Sequence, residues 1–182
     1  MNYYWYQSDP SLYAAEVQMM NRQFPQFQIG QLQDGSGRLY WRGKVQPCGS
    51  NGIVWDLMLI YKNDHPHAGQ NEYGGSVQIL PISPRLKNLG EQLLPQAIKK
   101  YGSYDNALAH GFGLGLPHVY HENFGRNDEY FICTADPKYF KTGQTHSTSA
   151  ASALAWACKW CYLFEGWING EIGDELAMEG NY

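Results

Sequence analysis

The chain has 182 residues, enough for one domain with a real core. Hydrophobic residues make up 43% and charged ones 16%, which excludes a disordered or charge-rich coil. Thirteen Lys and Arg against seventeen Asp and Glu leave a net charge of −4, without the basic footprint of a dedicated nucleic-acid binder.

The start, MNYYWYQSDP, lacks the cationic and apolar stretches of a secretory signal, and no run reaches the apolar length of a membrane span. A cytoplasmic location without membrane contact is expected. Asp9 or Ser8 can cap a first helix whose first turn holds Pro10, with Leu12, Ala15, Met19 and Met20 at helical spacing up to Phe24-Pro25. Four strand-like stretches follow: Phe27 to Gln33, Arg38 to Gln46, Ile53 to Lys62 and Ser76 to Ile82. The first two flank Asp34-Gly35-Ser36-Gly37, a hairpin turn sequence. The third is apolar on both parities apart from Asp56, as a strand covered on both faces should be.

Residues 87–117 read as an insertion, with a short helix around Leu93, Leu94, Ala97 and Ile98 that ends at Lys99-Lys100. Gly111-x-Gly113-x-Gly115 then reads as a flexible connector; it lacks the lysine and flanking elements of a phosphate loop. A buried helix is expected from Ser147 to Glu165, stopped by Gly166. Helix, antiparallel strands, irregular segment and helix make the class α+β, in one domain over 1–182.

Between these elements lies Leu116-Pro-His-Val-Tyr-His-Glu-Asn-Phe-Gly-Arg-Asn-Asp-Glu-Tyr-Phe-Ile-Cys133. Tyr120-His121-Glu122-Asn123, then Gly125, then Ile132-Cys133, resembles the active-site segment of ubiquitin-conjugating enzymes. That family reads Tyr-His-Pro-Asn, a short loop with glycine, and Ile-Cys-Leu; Glu122 stands here in place of the proline. The resemblance implies an N-terminal helix, a four-stranded antiparallel meander, an active-site loop and a long buried helix after the cysteine. The compact outline is similar to stand-alone bacterial members of cyclic-oligonucleotide antiphage systems. Their family function is to link a partner nucleotidyltransferase, through its C-terminal carboxyl, to an amine of a target.

On this resemblance Cys133 is the thioester-forming residue, Asn123 the donor to the oxyanion, and His121 a brace for the loop. The chemistry suits the residue types. A thiol supplies nucleophile at neutral pH, and its thioester is activated toward amines. Removing one oxyanion donor typically costs on the order of 10²–10³ in rate. Cys133 follows Tyr130-Phe131-Ile132 and precedes Asp136-Pro137, an exit where a thiol can face solvent. Asp128, Glu129 and Asp136 are candidates to assist the incoming amine. A donor protein and an acceptor protein are implied as partners, and neither a metal nor a small cofactor. The donor would be activated elsewhere.

Two other readings compete. Cys133 with the downstream His146 could form a cysteine hydrolase. A non-catalytic module could bind its partner through the aromatic N-terminus, Tyr3, Tyr4, Trp5 and Tyr6. His65-Pro66-His67 followed by Ser76 faintly suggests a zinc isopeptidase segment, but Ile79 stands where its aspartate ligand belongs. Cys158 and Cys161, inside a predicted helix, read as buried structural thiols, and Cys48 as an exposed loop residue.

Overall fold

The computed structural model describes residues 4–67, 74–134 and 149–179. A short helix α1, Trp5–Ser8, leads into α2, Pro10–Gln23. Asp9 caps α2 by accepting from Leu12 N–H at 2.9 Å, and Pro10 occupies the first turn, where no N–H is missed. Trp5 is only 7% exposed, so the N-terminal aromatic run packs inward at that residue rather than forming an open surface.

Among the described residues the sheet has six antiparallel strands: β1 Gln28–Gln31, β2 Leu39–Val45, β3 Trp55–Tyr61, β4 Val77–Ser83, β5 Val119–Phe124 and β6 Asn127–Ile132. Their spatial order is β1-β2-β3-β4-β6-β5. The class is α+β as expected, but six strands correct the expected four. The two additional strands lie in the segment read as an active-site loop. Gly125 (φ +65°) and Arg126 form a two-residue turn, and the flanks pair from Phe124↔Asn127 to Val119↔Ile132. This hairpin joins the meander through Ile132 opposite Ile79.

Residues of one parity, including Trp41, Trp55, Leu57, Leu59, Val77, Ile79 and Ile132, face the helices and form the main core. The other parity of β3 carries Met58 and Ile60, so the strand is apolar on both faces. Ile60, Leu80 and Phe131 are buried on that second face in a cluster to which no described helix contributes. Sheet coiling accounts for this. The Arg38 guanidinium, just before β2, lies 5.9 Å from the centre of the Phe124 ring on β5. In a flat sheet those strands would stand about 19 Å apart. The sheet therefore curls into a trough whose floor is apolar and whose polar lining includes Arg38, Lys62, Gln78 and Glu122.

The other α-helices among the described residues are α3, Leu86–Tyr101, α4, Tyr104–Ala109, α5, Ala150–Ile168, and α6, Asp174–Glu179. The region 87–117 is thus largely helical, with α3 beginning well before Leu93. Pro95 sits inside α3 without ending it. Ser149 caps α5 by accepting from Ser152 N–H at 3.1 Å, and the helix runs through Gly166 to Ile168. None of the described helices is long and apolar enough to cross a membrane.

The glycine pattern at 111–115 is a packed corner rather than a flexible connector. A Cβ on Gly115, which has φ +76°, would lie 2.3 Å from the Gly90 carbonyl oxygen of α3. Gly115→Ala is expected to destabilise the fold by about 2–3 kcal/mol in chemical denaturation, since both the backbone and the contact resist it. Gly173→Ala, at a site with nothing within 4 Å of the new Cβ, should change stability by less than about 0.5 kcal/mol.

Two buried carboxylates tie helices to strands. Glu16 on α2, 5% exposed, accepts from Tyr61 Oη on β3 and from the Ala150 N–H that opens α5, both at 2.8 Å. His65 faces it, with Nε2 3.7 Å from Glu16 Oε1 and Nδ1 3.0 Å from Ser76 Oγ. Burial alone would raise the Glu16 pKa, but His65 and the Ala150 and Tyr61 donors outweigh it and hold it below the usual carboxylate value. Glu165 on α5 accepts from Ile53 N–H at 2.8 Å and Trp55 Nε1–H at 3.1 Å.

Candidate functional site around Cys133

Hairpin register determines which residues meet Cys133. Each pair steps one residue back on β5 and one forward on β6, so His118 falls opposite Cys133. The Cys133 N–H donates to the His118 carbonyl at 2.8 Å, closing the hairpin one residue beyond the strands. Cys133 is a free thiol and only 6% exposed, which corrects the expectation of a solvent-facing thiol. Its place beyond Ile132, at the inner end of the hairpin against the sheet, explains the burial.

Asn123 pairs with Asp128 and His121 with Tyr130, both nearer the turn. Asn123 lies five ladder steps from the Cys133–His118 row, or about 17 Å along the strand, and His121 lies three steps away, about 10 Å. Both are exposed. His121 Nδ1 stands 3.3 Å from Asp128 Oδ1. The structure therefore brings neither Asn123 nor His121 to the thiol.

Of the carboxylates suggested to assist an amine, Asp128 also faces Lys87 Nζ at 3.6 Å, and Glu129 is bound by the Arg85 guanidinium. Asp136 and His146 lie outside the described residues. Among the described residues no cluster of three or more His, Cys, Asp or Glu is arranged to hold a metal ion. The two imidazole nitrogens of His65 face Ser76 and Glu16.

The remaining thiols lie on or against α5. Cys161 is buried in α5, and burial, with Cys158 and Glu165 nearby, drives its pKa well up. Burial also raises Cys158. Cys48, only partly exposed, packs against α5, where burial and Glu165 raise its thiol. Such thiols carry little thiolate at neutral pH.

Sequence reasoning alone gives His118 no role. It has φ +50° and is the one non-glycine residue among those described with a positive φ, a conformation that costs about 1–2 kcal/mol. Strain of this kind clusters at functional sites. The corner is held on both sides. The Pro117 carbonyl accepts from Trp160 Nε1–H at 2.9 Å, and His118 Nε2–H donates to the Met178 carbonyl of α6. A signal for His118 was present: counting outward from the Gly125-Arg126 turn places it opposite Cys133.

Compared with known protein families, with curated proteins and with solved structures, the chain matches none.

Proposed function

We propose that this chain is a divergent ubiquitin-conjugating-like domain that carries a partner protein's C-terminus as a thioester on Cys133 and passes it to an amine. The observation behind the reading is the strained His118 corner built opposite that cysteine. The element order supports it too: N-terminal helices, four consecutive antiparallel strands, then α3, α4 and the β5–β6 hairpin leading to the cysteine, and after it the 19-residue α5. In the first step the Cys133 sulfur attacks the activated carboxyl carbon; the S–C bond forms as the activating group leaves with its electron pair. In the second an amine attacks the same carbon, a C–N bond replaces C–S, and the thiol regains a proton as the amine loses one. Following the resemblance, the donor is a cyclic-oligonucleotide-synthesising nucleotidyltransferase and the setting is bacterial antiphage defence.

Burial of Cys133 favours a second reading, a partner-binding module of the same fold. One experiment separates the two: intact mass spectrometry of the chain co-expressed with its genomic neighbours, wild type beside Cys133→Ser and Cys133→Ala. The transfer reading expects a thiol-labile adduct in the wild type, absent from Cys133→Ala and trapped as a stable ester in Cys133→Ser. The adduct's mass identifies the donor. A partner that co-purifies equally with all three, with no adduct on any, overturns transfer in favour of binding.

A further inference from the structure

The C-terminal helix α6 touches the corner that carries Cys133. Three donors grip Asp174, its first residue: Trp167 Nε1–H at 3.0 Å, Lys100 Nζ at 2.7 Å, and the Tyr101 hydroxyl. Burial raises the Asp174 pKa, but those three donors outweigh it and hold the carboxyl below its usual range. Ala177 is buried, and the Met178 side chain packs beside Gly111, where an added Cβ would meet its Cε at 2.2 Å. At its last turn α6 presents the Met178 carbonyl to the His118 imidazole. Through this chain of contacts the anchored helix fixes a strained residue, and that residue's own carbonyl fixes the Cys133 backbone.

We propose that His118 is a positioning residue for Cys133, and that α6 is a clamp that keeps the thiol withdrawn until it lifts. The proposal rests on the reading of Cys133 as the acyl carrier. A thiol 6% exposed cannot take up and release a protein tail where it stands, so some element must move. The contacts mark α6 as that element: a six-residue helix gripped at its start through Asp174, packed along its side through Ala177 and Met178, and touching the Cys133 corner through the His118 imidazole. Lifting α6 takes the Met178 carbonyl away from the His118 imidazole, one of the holds on the left-handed corner, and so loosens the backbone next to the sulfur.

The test is the rate at which iodoacetamide alkylates each cysteine of the full chain, resolved by peptide mass spectrometry, with Cys48 and Cys161 as internal references. His118→Gly keeps the left-handed backbone without strain and removes the imidazole; Asp174→Ala loosens the other end of α6. Each is expected to raise the Cys133 rate about tenfold while Cys48 and Cys161 stay within about twofold of wild type. The double variant should match the faster single one, because both changes release one clamp. His118→Gln, whose amide nitrogen reaches as far as the imidazole Nε2 and restores a donor to the Met178 carbonyl, should bring the rate back toward wild type.

A Cys133 rate unchanged in His118→Gly and Asp174→Ala overturns the clamp. So does a rise shared equally by all three cysteines, since that marks general loosening. Fully multiplicative rates in the double variant would likewise show two independent effects. Alkylation needs neither donor nor acceptor, so a clamp confirmed in the absence of any adduct would sink the transfer reading alone. An adduct with unchanged alkylation rates would sink only the clamp.

Discussion

Glu16→Ala should lower stability by about 3–5 kcal/mol, the cost of breaking a buried charged network from one side. The truncation leaves the Tyr61 hydroxyl and the first N–H of α5 without their acceptor, and removes the carboxylate facing His65. Three elements loosen together, because α2, β3 and α5 converge on this single side chain. Chemical denaturation gives the magnitude. A loss below about 1 kcal/mol would mean that water reaches the site and replaces the carboxylate.

The same residue sets an acid limb. The folded pKa of Glu16 lies below the ordinary glutamate value of about 4.5, so below that value the unfolded chain binds more protons than the folded one. The stability contributed by the ionised group is complete above 4.5 and is lost as pH falls through the folded pKa. Glu16→Gln keeps an acceptor without the charge. It should be less destabilising than alanine at pH 7, and its stability should fall less steeply in acid than the wild type's. Equal slopes for the two proteins below pH 4.5 would remove Glu16 from the acid response.

The second large effect is expected at Trp160. Its ring stacks on Phe164 with centroids 5.0 Å apart, meets the edge of Trp55, and is 2% exposed. Trp160→Ala should cost about 3–5 kcal/mol through the lost burial and the cavity left behind. Trp160→Phe retains most of the apolar volume but strips the buried Pro117 carbonyl of its donor, for about 1–3 kcal/mol. Comparing the two by thermal and chemical denaturation separates packing from the hydrogen bond that pins the corner. Equal losses would assign the whole effect to packing.

Much of the frame was legible because local signals agreed with tertiary demands. Asp9-Pro10 caps α2 as its chemistry suggests, and the alternation of Leu39, Trp41 and Val45 follows the helix-facing side of β2. The two-sided apolar pattern of β3 correctly signalled cover on both faces. The β5–β6 hairpin was harder to see, because His121, Glu122 and Asn123 are polar on both parities, as befits an exposed edge strand. The same three residues, read as a family motif, drew attention to the turn end of the hairpin and away from His118. Gly166 failed to stop α5 because a half-buried glycine costs a helix only about 1 kcal/mol, which the packing of the helix outweighs.

Glu16, placed mid-helix, gave no hint of burial; its acceptor role depends on α5 arriving from 134 residues away. The long-range contact at α6 was equally hidden. Its six residues have no periodicity of their own, and only the fold shows that the Met178 carbonyl meets His118.

The curl that brings Arg38 over Phe124 also decides how another polypeptide can engage the sheet. Strand addition needs an extended, flat edge with a free row of backbone groups. Here one edge, β1, offers only four residues, and the other, β5, lines its rim with an imidazole, a carboxylate and an amide. Coiling turns both rims toward each other, so an incoming strand at either would follow a strongly twisted path. Such edges resist templated self-association, and a partner that binds here must recognise side chains rather than extend the sheet.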